Sequence, residues 1–305
     1  MRMNENGNRV VDLEQGSQQW LDFRKTRLGA SDIPIIMGES PWCTPYQLWC
    51  QKLDLVPSQS ENFAMSEGKR MEPVIRQMIV DLIGEPLTPL VAVSLNNDRI
   101  LASVDAITET HKRMYEIKYP SLQDHEYAMD GTCPKKYYGQ LQAQMYVFDL
   151  IRNHYSSYHP QDELRIVPID RDETYIQTMI EMAEDFLECL DTLTPPPMTD
   201  RDFFERYDND WKTAALEYQL AEKIMTAAAE KKEVCRKALI ALAGESNTTG
   251  EGIRLSRTIR RGAVDYSAIE ALKEIDLEQY RKPSISSWRI DIKKQGEKDE
   301  RSAEQ

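Results

Sequence analysis

Between residues 62 and 83 apolar side chains recur at helical spacing. Met71, Ile75, Met78, Ile79 and Leu82 form one stripe, with Glu72 on its border, which predicts an α-helix. Strand-like runs follow around 89–95, 99–107 and 114–119. Two of them, Leu101-Ala-Ser-Val-Asp105-Ala-Ile107 and Met114-Tyr-Glu116-Ile-Lys118-Tyr119, are separated by a polar, turn-compatible segment and can pair as a hairpin. A helix over 134–150 is predicted with Tyr138, Leu141, Met145 and Phe148 as its core face. Gln140 and Gln144 lie on one flank of that stripe, Gln142 and Tyr146 on the other. Strands near 152–158 and 163–169 and an acidic helix over 172–193 complete the region. Ahead of all these, residues 16–55 read as helix, tight turn and helix. Trp20 and Arg24 lie one turn apart, Leu28-Gly-Ala-Ser31-Asp32 is a break, and Thr44 is an N-cap with Pro45 at the first helical position. The alternation predicts an α/β class: helices in front, a mixed central sheet, and helices packed on it.

Thr194-Pro-Pro-Pro-Met-Thr-Asp200 is the clearest linker. The expected organisation is a flexible lead over 1–15, a main domain over 16–193, a Pro-rich linker over 194–204, a smaller C-terminal domain over 205–292 and a disordered tail over 293–305. Within the C-terminal part, 210–243 is Ala/Glu/Lys-rich and reads as a helical hairpin or coiled arm. A Thr/Gly-rich turn at 248–252 then leads into a strand bearing Arg254, Arg257, Arg260 and Arg261. Those arginines are either a nucleic-acid or partner contact or the solvated face of a hairpin. A short helix from about 266 and a strand over 286–292 close the domain.

The chain has 305 residues, enough for one sizeable domain and a smaller one. Its start lacks the charged-then-apolar pattern of a signal peptide, and no stretch approaches a membrane span, so a cytosolic protein with no membrane partner is expected. Five scattered cysteines indicate neither a disulfide framework nor a zinc or iron–sulfur centre, and all five are expected to be small buried residues. The four histidines show no ligand spacing, and Trp42 and Trp49 read as packing residues. A net charge of −13 argues against a protein that coats nucleic acid generally. It leaves room for an acidic metal site feeding on DNA through a basic channel.

The chemistry concentrates at four positions. Period-2 geometry puts Glu116 and Lys118 on one strand face and Ile117 on the other. Pairing of the hairpin brings Asp105 beside them. Carboxylates that close repel unless a hard cation such as Mg²⁺ neutralises them, and a neighbouring lysine can orient or help deprotonate an attacking water. The same pattern also fits a solvated strand face with a cross-strand ion pair.

Several segments resemble, in order, the YqaJ-type viral recombinase family, lambda-exonuclease-like members of the PD-(D/E)XK nucleases. They are Trp20-x-x-x-Arg24, Leu28-Gly-Ala-Ser31-Asp32, Ser40-Pro-Trp42 with Pro45-Tyr-Gln-Leu-Trp49-x-x-Lys52, Gly68-Lys-Arg-Met-Glu72-Pro73, Ser103-Val-Asp105, Glu116-Ile-Lys118 and Tyr138-Gly-Gln140-Leu-Gln142-x-x-x-Tyr146. The resemblance covers roughly 16–193. It implies a restriction-endonuclease-like core with a mixed central sheet flanked by helices, beside a smaller helical and β-hairpin C-terminal domain. It implies Asp105, Glu116 and the Ile117 carbonyl as ligands of Mg²⁺, with Mn²⁺ as a substitute. Lys118 would act on the water or the phosphate, and Glu72 would be an outer or second-metal carboxylate. Arg24, Ser31 and Gln140 match a 5′-phosphate pocket, with Gln142 and Tyr146 in support. The implied activity is ATP-independent 5′→3′ digestion of double-stranded DNA ends by a ring-shaped homo-oligomer, supplying a single-strand annealing protein. The absence of a G-x-x-x-x-G-K-[ST] loop agrees with ATP independence. An endonuclease or single-strand nuclease on the same core, and a non-catalytic DNA-end or recombinase-binding module, are the alternatives. Residues 205–292 could also serve as an oligomerisation or partner-docking arm. The family's Pro and Gly around the first metal carboxylate are Val104 and Ala106 here. Asp265-Tyr266 and Ser287-Trp288-Arg289 resemble an extension common among phage homologues, and they carry no assigned role.

Overall fold

The computed structural model describes residues 2–3, 9–13, 17–56 and 62–257. The chain begins with β1 (Arg2–Met3), β2 (Arg9–Val10), α1 (Gln18–Lys25), β3 (Leu28–Gly29), a 3-10 turn (Ala30–Asp32), α2 (Ile33–Ile36) and α3 (Pro45–Lys52). There follow α4 (Phe63–Ile83), β4 (Leu87–Val93), β5 (Ile100–Thr108), β6 (Met114–Lys118), α5 (Leu122–Met129) and α6 (Lys135–Phe148). The sequence continues through β7 (Arg152–Ser157), β8 (Arg165–Asp170), α7 (Glu173–Asp191), α8 (Asn209–Ala243), β9 (Thr248–Gly250) and β10 (Ile253–Leu255). By contacts the chain divides between Phe203 and Phe204 into two units.

In the first unit the strands form one mixed sheet in the order β1-β2-β4-β5-β6-β7-β8, with β3 added parallel to β5. The β6–β7 pair is also parallel, and the others are antiparallel. One face packs on α2, α3, α6 and α7 through Ile33, Leu48, Ala143, Met145, Met179 and Phe186. The other carries α4, whose Ile75 and Ile79 meet Ala106, Tyr115 and Ile117. Gly139 lets α6 come close to α2, because a Cβ there would stand 2.5 Å from the Tyr175 hydroxyl and 3.3 Å from Ile33. The mixed α/β architecture is the one expected, and α4 and the Thr44 cap of α3 form where the pattern places them. The Thr44 hydroxyl accepts from the Gln47 N–H at 3.1 Å.

Several elements differ from the sequence reading. Arg2–Met3 and Arg9–Val10, expected in a flexible lead, form two short strands at one end of the sheet, with β1 outermost and β2 between it and β4. The helix α5 has no counterpart in the sequence reading, since half of its eight residues are polar. It is held by a Ser121 cap and by His125, which is wholly buried with Nδ1 2.8 Å from the Ser157 hydroxyl and Nε2 3.1 Å from Asp162. Ser157 is buried as well, so this Ser-His-Asp line ties α5 to β7 and offers no accessible nucleophile. From Leu141 onward α6 is buried almost all round instead of along one stripe. Trp49 packs in the core, but Trp42 is 48 % exposed. Among the cysteines only Cys50 is fully buried, and Cys235 is exposed.

In the second unit α8 is one uninterrupted helix of 35 residues, not a hairpin, since no glycine or proline breaks it. The β9–β10 hairpin turns on Glu251 and Gly252, both at positive φ, as a two-residue loop requires. Arg254 lies on β10 and Arg257 pairs with Glu245 at 2.7 Å. Arg260, Arg261, the helix from 266, the strand over 286–292, the 293–305 tail and the Asp265-Tyr266 and Ser287-Trp288-Arg289 motifs lie outside the described residues. No described helix is long and apolar enough to cross a membrane.

Candidate active site

The site is a fork in the sheet. One edge of β5 is taken by β4, with a register shift opposite Asp105 and Ala106, while the other is shared: β3 pairs at Ile100 and Leu101, and β6 only at Ala106 and Ile107. Between these pairings β6 splays away. The N–H of Ile117 leaves the β5 backbone and donates instead to the Asp105 carboxylate at 2.8 Å. Alternation along β5 points Leu101, Ser103 and Asp105 into the gap. The resulting cleft, about 180 Å³, is closed by Glu116 and Lys118 on one side. Trp20, Arg24 and Ser31 line the other, and Gln140 lies beside Glu116.

Glu116 is 1 % exposed and both of its oxygens accept hydrogen bonds. Lys118 Nζ and Gln140 Nε2 donate to Oε1, and Gln144 Nε2 donates to Oε2, each at 2.5 Å. Gln144 also donates to the Ser103 carbonyl at 2.9 Å and accepts from Asn153 at 2.7 Å, so it fixes Glu116 relative to both β5 and β7. Sequence reasoning left Gln144 out of the site. The signal available was its i+4 spacing from Gln140, which puts both amides on one face of α6.

Electrostatics set Asp105 apart. Burial and the neighbouring Glu116 push its carboxyl well above the usual range, with Glu72 adding to the effect. Lys118 and the Ile117 N–H counter them only in part. Burial works against the Lys118 ammonium, but Glu116 and Asp105 beside it prevail and raise its pKa. Glu72 does not line the cleft. It pairs with Arg76 on its own helix, and Arg76 in turn donates to the Asp105 carbonyl at 2.7 Å.

At the opposite wall Arg24 stands 5.7 Å from the Trp20 ring centre and donates to Ser31 Oγ at 3.2 Å. Behind it lies Asp32, 7 % exposed, which accepts from Lys52 at 2.7 Å, from the Gly29 N–H at 2.9 Å and from Arg24 at 3.4 Å. Lys52 also donates to the carbonyls of Arg24 and Arg27 at 3.1 and 2.6 Å. The buried Lys52–Asp32 pair thus holds the C-terminal end of α1 and the turn that follows it. Gly29 leaves the space its guanidinium occupies, since a Cβ there would stand 2.8 Å from Nη2. The backbone at Gly29 (φ −79°) suits any residue. Gly29→Ala is therefore expected to keep the wild-type melting temperature, displace the guanidinium and weaken inorganic phosphate binding by about tenfold, the loss of one charge-assisted hydrogen bond. Calorimetric titration of both proteins with phosphate checks this.

Of the positions singled out from the sequence, the fold brings together Arg24, Ser31, Asp105, Glu116, Lys118 and Gln140. Gln140 spends its amide N–H on Glu116, on the carboxylate side of the cleft. Gln142 is wholly buried and faces elsewhere: it donates to the Asp170 carbonyl and accepts from the Asp172 N–H, both at 2.9 Å, bracing the start of α7. Tyr146 packs against the core. Among the described residues no cluster of three or more His, Cys, Asp or Glu side chains is gathered for a metal.

Residues 19–150 match the YqaJ-like viral recombinase domain. Over 132 residues the chain is 30 % identical to the uncharacterized protein YqaJ of Bacillus subtilis (strain 168), covering 42 % of this chain and 41 % of that relative. The match therefore spans about two fifths of the relative's length. Among solved structures it is similar to the alkaline exonuclease LHK-Exo of Laribacter hongkongensis. The identity is 23 %, the TM-score 0.50, and the match covers 58 % of this chain and 94 % of the other. The complex of LHK-Exo with dAMP matches with 22 % identity and a TM-score of 0.51, at the same coverage. Residues 19–150 thus carry the match to the YqaJ-like viral recombinase domain, on a mixed α/β fold similar to that of the alkaline exonuclease LHK-Exo.

Proposed function

We propose that the protein is a divalent-metal-dependent deoxyribonuclease of phage-type recombination. It digests double-stranded DNA ends 5′→3′ without ATP and leaves 3′ single strands for an annealing partner. The observation that carries this reading is one cleft with an acid–lysine cluster on one wall and an arginine–serine pair on the other. The first is suited to phosphodiester hydrolysis, the second to holding a phosphate.

The donors fit a hard cation. Two carboxylates, Asp105 and Glu116, face the single ammonium of Lys118, and burial together with the neighbouring Glu116 raises the Asp105 pKa. Two carboxylates with the Ile117 carbonyl form an all-oxygen set of the type Mg²⁺ or Mn²⁺ accepts together with water. A cation held there would supply Lewis acidity toward the phosphate and lower the pKa of a water. Glu72, tied to Arg76, acts from outside that set through its charge.

The chain's own groups do the rest. Gln140 and Gln144 hold the Glu116 carboxylate in one orientation. Lys118, whose pKa is raised, keeps its proton at neutral pH, so it orients the water and offsets charge on the phosphate and does not serve as the base. Arg24 and Ser31 hold a neighbouring phosphate, with Asp32, Lys52 and Gly29 fixing the guanidinium. A terminal 5′-phosphate at Arg24 would set the register of the cut. The dAMP bound by LHK-Exo is a mononucleotide of the kind stepwise digestion releases.

The test is digestion of linear duplex DNA labelled separately at each 5′ and 3′ end, with Mg²⁺ or EDTA, beside Lys118→Ala. Stepwise Mg²⁺-dependent release from 5′ ends that disappears in the variant is the expected result. Release from 3′ ends overturns the polarity. Cleavage of covalently closed circles points to an endonuclease, and DNA binding with no release of any label leaves a binding module.

A further inference from the structure

Beside the cleft lies an aromatic step that none of the roles above uses. Lys118 Nζ is 5.2 Å from the centre of the Tyr137 ring, and that ring lies 6.3 Å from the ring of Trp42. Trp42 is 48 % exposed, a large apolar plane left in solvent. It is nonetheless held in place. Arg201 donates to the carbonyls of Ser40 and Pro41 at 2.8 and 2.6 Å, and the Trp42 N–H reaches Ser40 Oγ at 3.3 Å. Two residues on, Thr44 is fastened to Asp202 at 2.5 Å. Lys136 stands 4.8 Å from the Trp42 ring centre and 5.5 Å from that of Tyr137, with its charge answered by Asp124 at 2.7 Å. On the inner side Tyr137 leans on Tyr155, ring centres 5.9 Å apart, so the step is backed by the core.

An exposed indole on an anchored loop, one ring away from the reactive lysine, is a preorganised surface for a flat, weakly hydrated partner. A nucleobase is such a partner, and it stacks on an aromatic plane whatever its sequence. The geometry points to Trp42, with Tyr137 and Lys136 supporting it, as the platform that receives the nucleobase attached to the phosphate at Lys118. This inference rests on the nuclease reading for its place in a reaction but is tested by binding alone. The platform gives the site a reason to prefer a nucleotide over a bare sugar phosphate. It also gives the base at the cut a place to rest once it leaves the stack of the duplex.

The experiment is calorimetric titration of the full chain with deoxyadenosine 5′-monophosphate and with 2-deoxyribose 5-phosphate, for wild type, Trp42→Ala and Trp42→Phe. The wild type is expected to bind the nucleotide about tenfold more tightly than the sugar phosphate, the magnitude of one base–aromatic stack. In Trp42→Ala the two ligands should bind alike, with sugar-phosphate affinity unchanged. Trp42→Phe, which keeps an aromatic plane, should retain most of the preference. A nucleotide preference that survives in Trp42→Ala overturns the proposal, as does a wild type that shows no preference or binds neither ligand. A wild type that shows the preference yet releases nothing from labelled duplex sinks the nuclease reading and leaves the platform standing.

Discussion

Asp105→Asn is expected to abolish metal-dependent strand release while leaving the protein in EDTA at least as stable as the wild type. On activity, the cation that Asp105 would hold supplies several kcal/mol of transition-state stabilisation. At one factor of ten per 1.36 kcal/mol, its loss lowers the rate by about a thousandfold or more. On stability, the sign follows from the charge cluster. Burial and Glu116 raise the Asp105 pKa in the folded protein. The unfolded chain gives up this proton near the ordinary carboxylate value of about 3.9. Above that value the folded state binds more protons than the unfolded state, so stability falls as pH rises, until the folded carboxyl has also ionised. Asparagine removes the penalty and keeps an oxygen for the Ile117 N–H that Asp105 now receives at 2.8 Å. Melting curves from pH 5 to 9 in EDTA should therefore show the advantage of the variant growing with pH and levelling once the folded Asp105 carboxyl has ionised. Adding Mg²⁺ should raise the melting temperature of the wild type and not that of the variant, because a ligand stabilises only the state that binds it. A variant less stable than wild type in EDTA at pH 8, or one that still digests DNA at the wild-type rate, would remove Asp105 from this role.

Asp32→Ala should produce the largest loss of stability, roughly 3–5 kcal/mol, because it leaves the buried Lys52 ammonium without its counter-charge. The side chains of Asp32 and Lys52 are 9 and 8 % exposed. In a unit of this size the change corresponds to a fall in melting temperature on the order of 10 °C. The double variant Asp32→Leu/Lys52→Met should recover much of that loss, since two apolar groups need no partner, yet phosphate binding at Arg24 should stay weak. For Asp32, burial alone would raise the pKa, but Lys52 and Arg24 outweigh it and the net shift is downward. A depressed folded pKa contributes stability that is complete above the unfolded value of about 3.9 and is lost as pH falls through the folded value. The gap between wild type and Asp32→Ala should accordingly be constant near neutrality and shrink only at strongly acidic pH. A gap that instead varied between pH 6 and 8 would mean that another group controls it.

The two predictions draw on different amounts of foresight. Asp105, Glu116 and Lys118 were legible because a strand imposes a period of two and a short polar turn imposes pairing, so their convergence follows from local geometry. Asp32 and Lys52 stand in the segments that carry the family resemblance, but nothing within those segments buries them or pairs one with the other. Gln140 was expected at the phosphate and is found on Glu116, and Gln142 was grouped with the site but braces α7. On a helix buried nearly all round, the apolar stripe no longer tells which face meets which neighbour.

What the sequence by itself determined is therefore what repeats locally: the stripe of α4, the cap of α3, the β5–β6 hairpin, and the shared face of Glu116 and Lys118. Each is set by interactions among residues a few positions apart, whose energies do not wait for the rest of the chain. The tertiary structure alone decided the fork. A two-residue strand such as Leu28–Gly29 has no period to read, and it pairs with β5 only because the α1 turn delivers it to an edge that β6 leaves open. That pairing carries Arg24 and Ser31 across from Asp105, and burial in the same place drives Lys52 onto Asp32 and Gln144 onto Glu116. Buried polar groups must find partners wherever the packed chain supplies them, and partners tens of residues away leave no mark in a local pattern.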